Sequence, residues 1–323
     1  MGIMKKTLCF ILAFVAAWTI QASAQNVTFE ITDGLSDASL KSRMETQVSR
    51  LLTAINVAAE NGTAVNFSGI NIDDMASFSI AMLWNNVHFR TFDDEILTRA
   101  LMLKSSGRVR GYEVRDIEIE MIPLDDSYKD EKIQEICIDF DTNGKIVDFN
   151  LTLGLNQYVR LFREGNELND LDRRMQILHY VEQFRNAYNQ KDIKFMENIF
   201  SDDALIITGK VIRRVKSEVG LPPEIQYTKQ NKQQYLNGLR KVFANNSYVN
   251  VKFDDIKVKR HGSKPNYYGV TLTQHWNSSN YHDEGILFLI WDFSDEDEPK
   301  IHVRTWQPMD DPDVFTLNRF KLP

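Results

Sequence analysis

The chain has 323 residues and a formal net charge of −7, from 38 Lys and Arg against 45 Asp and Glu. That balance excludes a general nucleic-acid binder, which needs basic surface to displace counterions from a phosphate backbone. With Cys9 and Cys137 alone, the chain also has no disulfide framework and no all-thiolate zinc site.

Residues 1–24 read as a secretory signal peptide: Lys5 and Lys6, an apolar run from Leu8 to Trp18, and Ala22-Ser23-Ala24 before Gln25. The run is shorter than the roughly 20 residues that span a bilayer, and no later stretch is apolar enough to do so. The expectation is an exported protein, periplasmic or extracellular, cut near Ala24. About 300 residues then remain, enough for two domains of about 130 to 150 residues.

The first domain, residues 25–155, opens after a short polar stretch with Leu40, Met44, Val48, Leu51, Leu52, Ile55 and Ala59 at helical spacing, closed by Asn61-Gly62. Ile72, Met75, Phe78 and Met82 predict a second helix ending near Trp84-Asn85. From Val87 the period shortens to two. Ile117, Ile119 and Met121 alternate with Glu118 and Glu120, and Ile136, Ile138 and Phe140 turn through Asp141-Thr142-Asn143-Gly144 into Val147, Phe149, Leu151 and Leu153. Helices followed by an antiparallel sheet are expected, in a family that the residues do not identify.

Residues 156–173 are polar and lack a period, as a linker would. The second domain, residues 174–323, begins with the stripe Ile177, Tyr180, Val181, Phe184, Ala187 and Tyr188. Asp192 is placed to cap a short helix carrying Ile193, Met196, Ile199 and Phe200, and Ala204 to Thr208 opens a strand. Tyr235, Leu236, Leu239, Val242 and Phe243 form a third helix. Four strand-like runs close the domain, 248–260, 267–276, 285–293 and 300–306. Ile286 to Trp291 is apolar on both faces and is predicted to be the central strand. The fold class is therefore α+β in two domains, each with helices before a sheet.

Phe184, Ala187, Asn189, Asp192, Phe200, Asp202, Asp203, Ala204 and Gly209, in this order of helices and strands, give the second half a pattern that resembles the nuclear transport factor 2-like superfamily. The resemblance runs from Leu171 to about Pro308. It implies a bent sheet wrapped around its helices as a cone with one open end. Ketosteroid-isomerase-like members place a Tyr on the first helix and an Asp after the strand opening; the matching positions here are Phe184 and Thr208. Phe donates no hydrogen bond and Thr is no base near neutral pH, so that chemistry is not expected. Residues 211–229 fall outside the match and would line or cover the cone mouth.

Trp276, Trp291 and Trp306, with Arg304, His275, His302, Phe184 and Tyr188, are the candidate pocket: aromatic walls and an Arg for an anion. The competing account makes the Trp residues ordinary core and Arg304 a surface ion-pair partner. His275 and His282, with Asp283 and Glu284, could hold a metal, but such pairs are commonly exposed hairpin residues and no metal is expected. Asp202 and Asp203 fit capping, Asp254 and Asp255 point to opposite faces of a strand, and Asp295-Glu296-Asp297-Glu298 fits a solvated turn. No nucleotide, cofactor or hydrolase motif occurs, so no cofactor and no catalytic residue are assigned. The reading is an exported, non-catalytic protein that binds a small ligand or a protein partner in the cone, with a homodimer through the second sheet as one arrangement. The alternatives are an enzyme using His275, His302 or an acid of the 254–255 pair as base, and a structural protein of the cell envelope.

Overall fold

The computed structural model describes residues 26–105, 108–124, 126, 132–153, 168–213, 224–311 and 313–322. The stretch read as a signal peptide, residues 154–167 of the stretch read as linker, and Arg214 and Lys216 lie outside them.

In the first half, strand β1 (Thr28–Asp33) leads to helix α1 (Ala38–Asn61). Asp37 caps α1 by accepting from the amides of Ser39 and Leu40, and Gly62 ends it with a left-handed φ of 61°. Helix α2 (Asp74–Asn86), capped by Asp73, follows, then strands β2 (His88–Thr91), β3 (Glu95–Ser105), β4 (Arg108–Ile122), β5 (Ile133–Asp141) and β6 (Ile146–Leu151). The sheet order is β1-β3-β4-β5-β6, with β2 also paired to β4. The expected purely antiparallel sheet is corrected here. β1 runs parallel to β3, because α1 and α2 carry the chain back across the sheet before β3 begins.

The face of α2 is also corrected. Met75 and Phe78 are each 55% exposed, whereas Ala76, Ile80, Leu83 and Trp84 are buried. Both sets have helical spacing, and the buried one is continued by Val87 and Phe89 into the same core.

The second half starts with helix α3 (Leu168–Asn189), whose first turns fall inside the stretch read as linker. Helix α4 (Ile193–Ile199), capped by Asp192, strands β7 (Phe200–Arg213) and β8 (Glu224–Asn231), and helix α5 (Lys232–Asn245) follow. Strands β9 (Val249–Arg260), β10 (Tyr267–Ser278), β11 (Tyr281–Asp292) and β12 (Lys300–Pro308) complete a sheet of order β8-β7-β12-β11-β10-β9. β11 is internal, as its apolar run predicts. β7 is parallel to β12, so this sheet is mixed too. Bulges between Thr271 and Thr273, between Ile290 and Trp291, and between Ile301 and Val303 bend it around the helices. Phe315, Leu317, Phe320 and Leu322 pack on its outer face over Phe288 and Ile290, so the chain's own tail covers part of the surface a sheet-mediated dimer would use.

Helix α3 is buried on two sides. Its apolar stripe fills the cone, and a polar stripe, Glu182, Arg185, Asn186 and Asn189, has the same helical spacing and is also buried. Asn186 pairs reciprocally with the backbone of Leu151, through Nδ2 to O at 2.9 Å and N to Oδ1 at 2.8 Å. Asn189 does the same with Val251, at 3.2 and 2.6 Å, and Asn86 of α2 with Val249, at 2.7 and 2.8 Å. Leu151 and Val251 lie on β6 and β9, the edges of their sheets, so side-chain amides stand in for missing neighbour strands. Arg185 adds bonds to Val251 O (2.7 Å), Thr152 O (2.5 Å) and Gln134 Oε1 (2.9 Å).

Arg115 of β4 pairs with Glu113 at 2.9 Å and with Glu182 at 2.6 Å, and the three residues are at most 8% exposed. Arg115→Met leaves two buried carboxylates uncompensated and is expected to cost about 3–5 kcal/mol in urea unfolding. Adding Glu113→Gln and Glu182→Gln should restore most of that loss.

Candidate functional site

Strand pairing fixes which side chains enter the cone. Trp276 pairs with Asp283, Gln274 with Gly285, Leu287 with Trp306, Leu289 with Arg304, and Trp306 with Thr208. All lie on the inner face, because Leu272, Leu287, Leu289 and Ile206 of the same strands and parity form the core with α3. Gly285 is required there: a Cβ at this position would meet the Trp306 indole at 2.5 Å.

The two ends of the cone differ. At one end Trp291 is fully buried, with Phe293 at 5.8 Å, Phe184 at 6.4 Å and Tyr180 at 6.1 Å between ring centroids. That end is plugged. At the other end Trp276, Asp283 and Trp306 are half-buried in front of buried Tyr188, Tyr235 and Arg304. The Tyr188 and Tyr235 hydroxyls are 2.7 Å apart, and Arg304 Nε donates to Tyr188 Oη at 3.3 Å. The guanidinium carbon lies 5.1 Å from the centre of the Tyr235 ring, and Nη2 reaches Gln274 Oε1 at 3.5 Å. Trp276 packs edge-on to Tyr188 at 5.5 Å.

Arg304 is 5% exposed, makes no ion pair with a carboxylate within 4.0 Å among the described residues, and its Nη1 has no hydrogen-bond partner there. Trp306 Nε1 and Asp283 Oδ1 are likewise buried without partners, while Asp283 Oδ2 accepts from Tyr281 Oη at 2.6 Å. Burial raises the Asp283 carboxyl above its ordinary value, with Tyr281 and Arg304 pulling the other way. An unpaired cation, an unpaired N–H and an unpaired carboxylate oxygen at the rim are complementary to a small polar molecule bearing an acceptor or anionic group.

Of the eight residues singled out from sequence, Tyr188, Arg304, Trp276 and Trp306 come together at this rim. Phe184 and Trp291 belong to the plug. His275 and His302 are on the outer face and do not join the pocket. His275 Nε2 is 3.0 Å from Asp254 and its Nδ1 3.7 Å from Glu284; His302 lies between Asp203 (3.2 Å) and Asp292 (3.5 Å) at the β12 bulge. His275 faces outward because inward positions on β10 are the even-numbered ones, and His302 is the extra residue of the bulge. His282 pairs with Asn277, not His275, so the two are not direct cross-strand neighbours. Gln274, Asp283 and Tyr235 were missed. Asp283 shows its role through its register with Trp276, which a sequence does not fix.

A second concavity of about 730 Å³ runs along α1, with Ser49, Thr53, Val57, Asn66 and Ile70 in its wall. Its one charged residue is Arg50, which already donates to Gly69 O at 3.0 Å.

Helices enclosed by a bent six-stranded sheet with one plugged and one polar end form a cone. No family model matches the sequence, and no curated protein matches it. Solved structures do. A nuclear transport factor 2-like protein from Cytophaga hutchinsonii is 11% identical, with a TM-score of 0.31 over 45% of this chain and 100% of that one. One from Rhodospirillum rubrum, described as of unknown function in nutrient uptake, is 17% identical, with a TM-score of 0.31 over 41% and 98%. One of unknown function from Shewanella oneidensis is 13% identical, with a TM-score of 0.30 over 41% and 95%. At such identities and TM-scores no site residue and no role is carried over.

A carboxyl raised by burial disfavours the folded state once it must ionise. Asp283→Asn should therefore raise the melting temperature at neutral pH, and the gain should vanish below pH 3.8, the ordinary value of the group, in scanning calorimetry across pH.

Proposed function

We propose that this is an exported binding protein whose cone rim captures a small molecule carrying a carboxylate or a similar anionic group. The observation that carries the reading is the buried, unpaired Nη1 of Arg304 beside unpaired Trp306 Nε1. A buried guanidinium group without a carboxylate costs stability, and an anion supplied by a ligand would offset that cost while accepting from both donors. Tyr235 below the guanidinium and Tyr188 at its Nε hold it in place, and Trp276 offers an apolar wall. Asp283 would accept from a hydroxyl or ammonium group elsewhere on the ligand. Export, to the periplasm or the extracellular space, is proposed from the leader-like pattern of residues 1–24.

A second reading is enzymatic, with Asp283 as general base. Its raised pKa and unpartnered Oδ1 favour it, whereas His275, His302, Asp254 and Asp255 do not line the rim.

The test is a thermal-shift and calorimetric screen of small carboxylates against the mature chain. A ligand present at a hundred times its Kd should stabilise by about 2.7 kcal/mol. Arg304→Met and Trp306→Phe should each weaken it by about 1.5–3 kcal/mol, tenfold to over a hundredfold in Kd. Unchanged affinity in both variants would refute the rim as the site. Conversion of a bound compound, abolished by Asp283→Asn, would favour the enzyme.

A further inference from the structure

A separate cluster lies between the first sheet and α3. The strand register places Glu113 opposite Asp139 and Asp139 opposite Asp148, a lateral row of three acids on one sheet face. Cys137, two residues before Asp139 on β5, shares that face. Like charges directly opposite one another repel, and Glu113 and Asp139 are 4% and 5% exposed. Arg115 offsets only part of this charge. It holds Glu113 at 2.9 Å and clamps Glu182 at 2.6 and 3.2 Å, and Glu182 also accepts from Leu153 N at 2.8 Å.

What remains is a donor set in search of a cation. Asp139 Oδ1 is buried with no hydrogen-bond partner among the described residues. Glu113, Cys137 and Asp139 each present one ligand atom within 4.8 Å of the others, and Glu113, His179 and Glu182 form a second such set. Burial, with Glu113 and Asp148 facing it, pushes the Asp139 carboxyl well up and so favours its protonated form when no ion is bound. Burial and the surrounding acids push the Cys137 thiol well up, so it too keeps its proton when no ion is bound. Gln183 closes the side towards solvent, its Nε2 at 3.1 Å from His179 Nε2 and 3.4 Å from Asp148 Oδ2. His179 is only half-buried, which leaves a way in.

We propose that this cluster is a binding site for a borderline divalent cation of the Zn²⁺ class, with Glu113, Cys137 and Asp139 as donors and water completing the shell. A thiolate among carboxylates selects Zn²⁺ or Co²⁺ over Ca²⁺ and Mg²⁺, which call for oxygen donors in larger number. Binding displaces the carboxyl proton of Asp139 and the thiol proton of Cys137 and releases both to solvent.

The mature chain, stripped with a chelator under reductant, is titrated with Zn²⁺, Co²⁺ and Ca²⁺ by calorimetry and absorption. One Zn²⁺ or Co²⁺ per chain is expected, with proton release and a sulfur-to-cobalt charge-transfer band. Cys137→Ser should abolish that band and Asp139→Asn should weaken binding. The cobalt spectrum of the unaltered mature chain, whose one thiol is Cys137, keeps the test available if these core variants fail to fold. His275→Ala, on the outer face of the second sheet, should change nothing. The proposal is overturned if no ion binds, if the cobalt complex lacks the sulfur band, if Ca²⁺ binds as tightly as Zn²⁺, or if His275→Ala removes binding.

Discussion

The polar stripe of α3 is the constraint on which the rest of the molecule depends. Glu182, Arg185, Asn186 and Asn189 satisfy backbone groups on the edges of both sheets, and each is at least nine-tenths buried. A buried edge strand with unpaired amides is costly, and an apolar helix face could not have paid that cost. The helix can therefore dock between the sheets in essentially one rotation and one register. The opposite stripe of the same helix is then fixed, which sets Phe184 in the plug and aims the Tyr188 hydroxyl at Arg304. Packing between the halves and geometry at the rim are two faces of one helix.

The rim has the character of a site whose polarity exceeds the needs of folding. A core built for stability alone would place an aliphatic side chain at position 304, since a buried guanidinium group with an unused N–H is worth less than good apolar packing. Instead Arg304 sits over Tyr235, with Asp283 on the same inner face but out of ion-pair reach. Held apart in this way, the two charges create a polarised gap, and such preorganisation lowers the cost of binding because no side chain has to be ordered when the ligand arrives. The plugged end contributes by rigidity: Trp291, Phe293 and Phe184 interlock, so the strands bearing Arg304 and Trp276 have little freedom to shift.

Much of this architecture was legible in the residues. Helical stripes gave α1, α3 and α5, and alternation gave the β5–β6 hairpin and the internal β11. Arg304, Trp276, Trp306 and Tyr188 were recognisable as a group. The rest depended on relations that a one-dimensional pattern does not hold. In α2 two apolar stripes competed, and only the sheet beneath decides which is buried. β1 was passed over although Val27, Phe29 and Ile31 alternate, because a single short strand gains meaning only from its parallel partner β3. The polar stripe of α3 was visible at positions 182, 185, 186 and 189, but burial of such residues is uncommon and the stretch read as a domain boundary lies next to it. His275 and His302 were misplaced for a simpler reason: one residue of register, or one bulge, moves a side chain to the other face of a sheet. The row Glu113, Asp139 and Asp148 was invisible for the same cause, since its members come from three strands.

With the buried stripe of α3 bonded to both sheets, the two halves should unfold as one cooperative unit. Trp84 lies in the first core and Trp291 in the second, so variants retaining one Trp each report the halves separately by fluorescence. Their urea transitions should coincide in midpoint and slope. Two separated transitions, with the second half still folded after the first has melted, would contradict it.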